Sequence, residues 1–263
     1  MNTLEKKMLE ILKKGKENFG YLGIKAEFEA EGTRDDEMLR LSEITRKAGL
    51  NLGIKIGGGE AISDLYRTKQ IGVEYIIAPM LETPYAVSKY IEAKNKVYSP
   101  EERGDIKFLF NLETITTFNN ITEVIKAAKV KDGADGIVFG RVDFTLSNGL
   151  TRSDIESAKI TEYCVKTAKE CKKAGLELVV GGAITKTSLP NLQEINKEFL
   201  TRFETRKIIF TSDAILNPKI IEGMDLAIQF EYLWLQNKFE YYNKIANEDA
   251  ARLKMLTERL EVK

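Results

Sequence analysis

The sequence predicts an α/β barrel of repeated strand–helix units, a (β/α)8 TIM barrel with a long C-terminal helical arm, and three features predict it. Short apolar runs rich in Ile, Val and Phe alternate with longer amphipathic stretches of helical period. No Pro/Gly/Ser-rich linker interrupts the series. The length, 263 residues, suits one closed barrel, so residues 1–263 are expected to form a single domain.

The expected strands are Tyr21 to Glu29, Leu52 to Ile56, Tyr75 to Met80, Ile106 to Leu112, Gly136 to Val142, Leu176 to Gly181 and Lys207 to Thr211, each followed by a helical pattern. The eighth strand is not evident, which leaves an open doubly wound sheet as the alternative to closure. Glycines mark the strand ends at Gly57-Gly58-Gly59, Gly140 and Gly181-Gly182, where backbone approaches a ligand or simply turns. From Pro218 to Lys263 there is no further proline, and Leu226, Phe230, Leu233, Trp234 and Phe239 recur at helical spacing. Residues 218–263 are thus read as a helical extension. An arm packing on another subunit of a homo-oligomer accounts for it, and a closing helix on its own barrel accounts equally for its first half.

Composition removes several function classes. Forty Lys plus Arg balance forty Asp plus Glu, so no net field draws the chain to nucleic acid or an anionic membrane. No run approaches the ~20 apolar residues of a membrane span. Cys164 and Cys171 sit two helical turns apart, about 10 Å, too far for a disulfide. Unpaired cysteines and a charged, uncleavable-looking N-terminus lead to an expected cytoplasmic location. Histidine is absent, which excludes imidazole nucleophile triads, histidine zinc sites and an imidazole acid or base.

Parallel barrels build their sites at the C-terminal ends of strands. The fourth strand runs into Glu113 and the fifth into Asp143. Adjacent parallel strands lie ~4.8 Å apart, so carboxylates at one level repel unless a cation or proton joins them. A hard divalent cation such as Mg²⁺ or Mn²⁺ suits them. Pairing with Arg141 or a lysine, or capping of the next helices, are the competing readings. Period 2 puts Lys25, Glu27, Glu29 and Glu31 on one side of the first strand, lining a polar cavity if the barrel closes. Lys55, between Ile54 and Ile56, needs an anion, or serves as a Schiff-base amine. The late loops at Gly181-Gly182 and Thr211-Ser212-Asp213 offer an anion site and an orienting acid; for Asp213, a helix cap is the plain alternative.

The runs Ile76-Ile77-Ala78-Pro79-Met80-Leu81-Glu82-Thr83, Phe110-Asn111-Leu112-Glu113-Thr114 and Asp135-Gly136-Ile137-Val138-Phe139-Gly140-Arg141-Val142-Asp143-Phe144 together resemble the citrate lyase β-subunit and class II 2-oxo acid (pyruvate) aldolase superfamily. The resemblance extends from about Gly23 to Asp213. It implies a PEP/pyruvate-binding TIM barrel, a divalent metal on Glu113 and Asp143, and carbon–carbon lyase or aldolase chemistry through the enolate of pyruvate or a related 2-oxo acid. Members of that group often exchange a C-terminal helix between subunits. Two departures stand out: Lys55 replaces the group's usual arginine, and Glu-Phe-Glu-Ala-Glu replaces its Glu-His pair. The expected roles are therefore metal ligation by Glu113 and Asp143, charge neutralisation and substrate binding by Lys55 and Arg141, proton movement by Glu27 or Glu29, anion binding at Gly181 and Gly182, and orientation by Asp213. An acyl-CoA lyase or thioester hydrolase on the same metal site, or a binding barrel without catalysis, are the alternatives.

Overall fold

The computed structural model describes residues 1–261. Helix α1 (Thr3–Asn18) precedes β1 (Tyr21–Glu27), and the chain continues through α2 (Asp35–Ala48), β2 (Asn51–Lys55), α3 (Ile62–Ile71), β3 (Tyr75–Ala78), α4 (Pro84–Val97) and β4 (Lys107–Leu112). Two short helices, α5 (Ile115–Asn119) and α6 (Ile121–Ala128), lead to β5 (Gly136–Gly140). Then come α7 (Arg141–Ser147), α8 (Ala158–Ala174), β6 (Glu177–Gly181), α9 (Leu189–Glu198), β7 (Arg202–Glu204), β8 (Ile208–Thr211) and α10 (Ile220–Glu261). The eight strands close into a barrel in sequence order, so the open-sheet alternative falls.

Local chemistry sets the element ends. Asn2 and Glu5 form a capping box at the start of α1, Thr83 caps α4 ahead of Pro84 at its first position, and Ser157 caps α8. The strands are near-continuously apolar because helices cover them outside and side chains fill them inside. Outside, Leu52, Ile76, Phe108, Ile137 and Leu178 pack under the helices; a separate cluster of Tyr75, Ile77, Leu109, Val138, Val179 and Ile209 fills the lower interior.

Strands β1 to β7 run parallel, with Glu27 opposite Lys55, Leu112 opposite Phe139 and Gly140 opposite Gly181. The last pair breaks the rule. Strand β7 has three residues, Arg202-Phe203-Glu204, and turns directly into β8, which runs antiparallel to both β7 and β1. This hairpin is the eighth strand the sequence concealed. It also reverses the direction assigned to Lys207 to Thr211, so Thr211 ends at the foot of the barrel, donating from its amide to the carbonyl of Gly20 just before β1 (2.9 Å). Asp213 follows it there, at the end opposite the mouth. The expected orienting role of Asp213 is thereby corrected: strand polarity carries it away.

The tail is one continuous helix of 42 residues, roughly 60 Å long. Its first half closes its own barrel, with Phe230, Leu233 and Trp234 buried, Tyr21 donating to the Gly223 carbonyl and Asn2 donating to Asn237. Beyond Tyr242 it leaves the barrel and nearly all its residues are exposed. The last two positions of the expected 218–263 extension lie outside the described residues. Among the described residues no helix is long and apolar enough to cross a membrane. Cys164 and Cys171 are free and buried, and burial pushes both thiols up to about 12.

The hairpin is fastened by aromatic contact: Phe203 stacks on Phe210 at 4.7 Å between centroids, and Tyr21 meets Phe210 edge-on at 4.9 Å. Phe203→Ala is expected to lower unfolding free energy by about 3–5 kcal/mol, read from urea denaturation. A loss below ~1 kcal/mol would show that closure does not depend on this contact.

Candidate active site

The strand ends enclose a cavity of about 520 Å³ at the C-terminal mouth of the barrel. It is lined by Glu27 and Glu29 from the end of β1, Lys55 from β2, Glu113 after β4, Asp143 in the first turn of α7, and Gly181 and Gly182 after β6. These residues, separated by up to 155 positions, are expected site residues that the fold brings to one place; Arg141 and Asp213 are not among them.

Glu113 is 1% exposed, and three neighbours share its carboxylate. Its Oε1 accepts from the backbone amide of Met80 (3.1 Å), while its Oε2 accepts from Asn111 Nδ2 and from Lys55 Nζ (3.3 Å). Gly140 makes this position accessible: a Cβ there would stand 3.0 Å from the Glu113 Cβ and 3.1 Å from Oε2. Met80 itself holds φ +50°, as does Ala183 on the far wall, so two non-glycine residues at the mouth carry left-handed backbone, a form of strain that concentrates at functional sites. The helix-capping alternatives fall away for both acids. Thr114 rather than Glu113 caps α5, and Asp143 makes no cap bond on α7.

Lys55 also bonds Glu29 at 3.0 Å. Burial pulls its amine towards the neutral form, but Glu113 and Glu29 outweigh that and hold the ammonium above the ordinary lysine range. A Schiff-base amine must be neutral to attack, so the charged Lys55 speaks against that role. Deeper in the barrel, Lys25 lies between Glu204 and Glu27 (3.4 Å), and these carboxylates likewise override burial and keep it charged. Glu31, expected on the same face, turns to Lys207 and Arg206 instead and ties the loop after β1 to the β7–β8 turn. Among the described residues Asp143 has no ion-pair partner.

Arg141 does not reach the cavity. Its guanidinium, 2% exposed, spans Glu156 through both Nη atoms (2.9 and 3.1 Å), the Gly182 carbonyl and Ser188. The expectation that it binds substrate is corrected: all three of its guanidinium nitrogens bond within the protein, and it does not line the cavity. Arg141 instead fixes the loop after β6, against which Gly182 approaches so closely, at φ +88°, that a Cβ would stand 2.8 Å from the Arg141 amide.

The lining residues that escaped sequence reasoning as site members include Asn111, Arg152, Glu204, Arg206 and Glu231. Asn111 carried a signal, an amide inside the apolar run Phe108-Leu109-Phe110-Asn111-Leu112. Its Oδ1 is buried without a hydrogen-bond partner. Glu204 and Arg206 belong to the concealed hairpin.

A family model described as HpcH/HpaI aldolase/citrate lyase matches residues 52–188, just over half the chain. The chain belongs to the HpcH/HpaI aldolase/citrate lyase family. Membership carries lyase-type chemistry, and the matched stretch contains Lys55, Glu113, Asp143, Gly181 and Gly182. The β1 acids, the β7–β8 hairpin and α10 lie outside it. Among curated proteins no sequence matches. The fold agrees with solved structures: citrate synthase SbnG, at 14% identity and TM-score 0.60, covers 75% of this chain and 81% of its own. An HpcH/HpaI aldolase/citrate lyase family protein from Burkholderia cenocepacia J2315, at 13% identity and TM-score 0.59, covers 86% of this chain and 89% of its own.

The Arg141 cluster gives the family barrel a pH-dependent brace. Burial raises the Glu156 carboxyl, but hydrogen bonds from Arg141 and Ser188 outweigh it and hold it below the ordinary range. A carboxylate lowered in the folded state stabilises above its unfolded value and loses that contribution as pH falls through the folded value. Glu156→Gln is therefore expected to destabilise by roughly 3 kcal/mol at neutral pH. The gap from wild type should close as melting temperature is followed from the ordinary carboxylate value of about 4 downward through the lower folded value. A gap independent of pH would refute the ionic brace.

Proposed function

We propose that this protein is a metal-dependent carbon–carbon lyase or aldolase acting on pyruvate or a related 2-oxo acid through its enolate. One observation carries the reading: Glu113 and Asp143, from neighbouring strand ends, face a single cavity whose lining carries unbalanced negative charge. Glu27, Glu29, Glu113, Asp143, Glu204 and Glu231 stand against Lys25, Lys55, Arg152 and Arg206, an excess of two carboxylates.

The residues present fit a hard divalent cation. The donors are oxygens; Glu113 Oε1 spends only one lone-pair direction on Met80, Asp143 has no ion pair among the described residues, and the orphaned Oδ1 belongs to the Asn111 amide that donates to Glu113. Lys55 neutralises the other Glu113 oxygen only in part, because it is shared with Glu29. Among the described residues no cluster of three Asp, Glu, His or Cys side chains forms a complete metal cage. A two-carboxylate site completed by water and by the substrate's oxygens is the arrangement Mg²⁺ or Mn²⁺ commonly takes. Glu113 and Asp143 would hold such an ion, and it would supply positive charge against the oxygens of a bound 2-oxo acid.

The chain's own groups supply the rest. Lys55, held protonated, lies beside Glu113, where its charge opposes the negative charge that develops on the substrate. Glu29 hydrogen-bonds Lys55 at the mouth, and Glu27 lies one alternation deeper; with no histidine in the chain, a carboxylate, directly or through water, removes the proton from the methyl carbon. The electron pair left on that carbon adds to a carbonyl carbon of the acceptor, whose oxygen takes up a proton. In the cleavage direction the same bond breaks and the methyl carbon is reprotonated. Gly181 and Gly182, bare of side chains on the opposite wall, leave room for the substrate's anionic end.

Differential scanning with Mn²⁺ and oxalate, a planar enolate mimic, tests the site. The two together should raise the melting temperature well beyond either alone, by about 2.7 kcal/mol of stability at a hundred times Kd. Glu113→Gln and Asp143→Asn should each abolish the joint shift and lower kcat/KM by ~100-fold or more, the loss of several kcal/mol. An intact protein showing no joint shift rules the reading out.

A further inference from the structure

Two acids inside the barrel are seated in the same way. Gly140 and Gly181 are register partners at the ends of β5 and β6. The first makes room for Glu113, and a Cβ on the second would stand 3.0 Å from both Cγ and Oε1 of Glu204. Glu204, 4% exposed, also lines the cavity, and its Oε1 takes the Lys25 ammonium at 2.5 Å. Apolar residues of the same volume would serve the fold as well as this interior ion pair. Neither Lys25 nor Glu204 has a part in the metal site.

Lys25 has a second acid. Its Nζ stands 3.4 Å from Glu27 Oε1, and among the described residues this is the only ion pair Glu27 makes. Glu29, the other carboxylate placed to move a proton, is bonded at 3.0 Å to Lys55, whose charge also meets Glu113. A carboxylate in close contact with a cation is a weak base. Glu204 therefore sets how much of the Lys25 charge reaches Glu27: as the nearer acid it takes the ammonium, and Glu27 is left oriented but lightly held. The other charges that act on Glu27 are Lys55 on β2 and Arg206 and Lys207 at the β7–β8 turn, with Glu29 and Glu31 on its own segment. Arg206 and Lys207 are both engaged by Glu31.

We propose that Glu27 is the group that exchanges the methyl proton of the 2-oxo acid, and that Lys25 and Glu204 are its positioning pair. This rests on the enolate chemistry proposed above and chooses between the two carboxylates that chemistry leaves open. In the forward step the methyl C–H bond breaks, an O–H bond forms on Glu27, and the electron pair passes into the enolate; after cleavage the reverse transfer reprotonates the carbon. Lys25 keeps its own proton throughout, because Glu204 and Glu27 together outweigh the pull of burial towards the neutral amine.

Deuterium uptake into the pyruvate methyl group, read by mass spectrometry on the full chain with Mn²⁺ in D₂O, tests this without any acceptor. Glu27→Gln should slow the exchange by ~100-fold or more while keeping the joint Mn²⁺–oxalate shift, and Glu29→Gln should slow it by about tenfold at most. The positioning pair is read from the pH profile. Glu204→Gln turns Lys25 wholly to Glu27, so the acid limb should move roughly one unit lower. Lys25→Met leaves the Glu204 charge alone beside Glu27, so the limb should move higher by a similar amount, and the double variant should return it near the wild-type position. A merely structural role would lower the rate and leave the limb in place. Exchange retained in Glu27→Gln, or a limb that the two single variants move in the same direction or not at all, overturns the proposal while the enolate chemistry stands. A wild type with neither metal-dependent exchange nor the joint shift removes both.

Discussion

Glu113 is the constraint around which the mouth of the barrel is arranged. A carboxylate buried to 1% exposure is tolerated only with its oxygens occupied. Each occupant requires something of the sequence. The Met80 amide points at Oε1 from a residue in left-handed backbone; Asn111 reaches Oε2 from within an apolar strand; Lys55 must stay charged inside the barrel; and Gly140 must have no side chain. Removing any one leaves Glu113 either unsatisfied or displaced. Four strands, β2 to β5, are therefore coupled to a single side chain, and their strand ends are set by more than sheet hydrogen bonds.

The same logic extends round the mouth as shared ion pairs. Lys25 serves Glu27 and Glu204, Lys55 serves Glu29 and Glu113, and Arg206 serves Glu31 and Glu231. Each of these three bases answers two acids, and although Lys207 also meets Glu31, the cavity lining keeps six acids against four bases while the whole chain is neutral. Packing alone would favour apolar residues of the same volume at such positions. Partly compensated carboxylates lining a cavity are better explained by a ligand that brings positive charge with it, which is why the excess, rather than any one distance, supports a cation.

The sequence revealed the parts of this arrangement that follow from strand-end chemistry. Glu113 stands out because it directly follows an apolar run, Asp143 because it occupies the same level at the end of the adjacent strand, and the period-2 acids of β1 because a closed barrel has no outer edge for them. Arg141 misled because it lies one residue past the Gly140 turn, where the strand gives way to a helix and period 2 no longer tells inside from outside. Asp213 misled for a different reason. Hydrophobic pattern marks a strand but not its direction, and the three residues of β7, two of them charged, fall below the length at which a pattern forms. The tail is helix over Ile220–Glu261 as its spacing predicts, yet its two faces, one for the barrel and one exposed, separate only once the first half is seen packed.

That separation bears on how the site works. The hairpin that replaces a final βα unit brings β8 back to the foot of the barrel, so no eighth strand end arrives at the mouth to supply a loop. The wall beside β1 is left to the tight Thr205-Arg206-Lys207 turn and to Ile228 and Glu231 of α10. A barrel mouth usually takes its specificity from eight long loops. Here one wall is a short turn tied to Glu31 and one is the flank of a long helix, so whatever approaches the anionic cavity from that side meets α10 first. The geometry that closes the barrel therefore also determines which of its own surfaces completes the mouth.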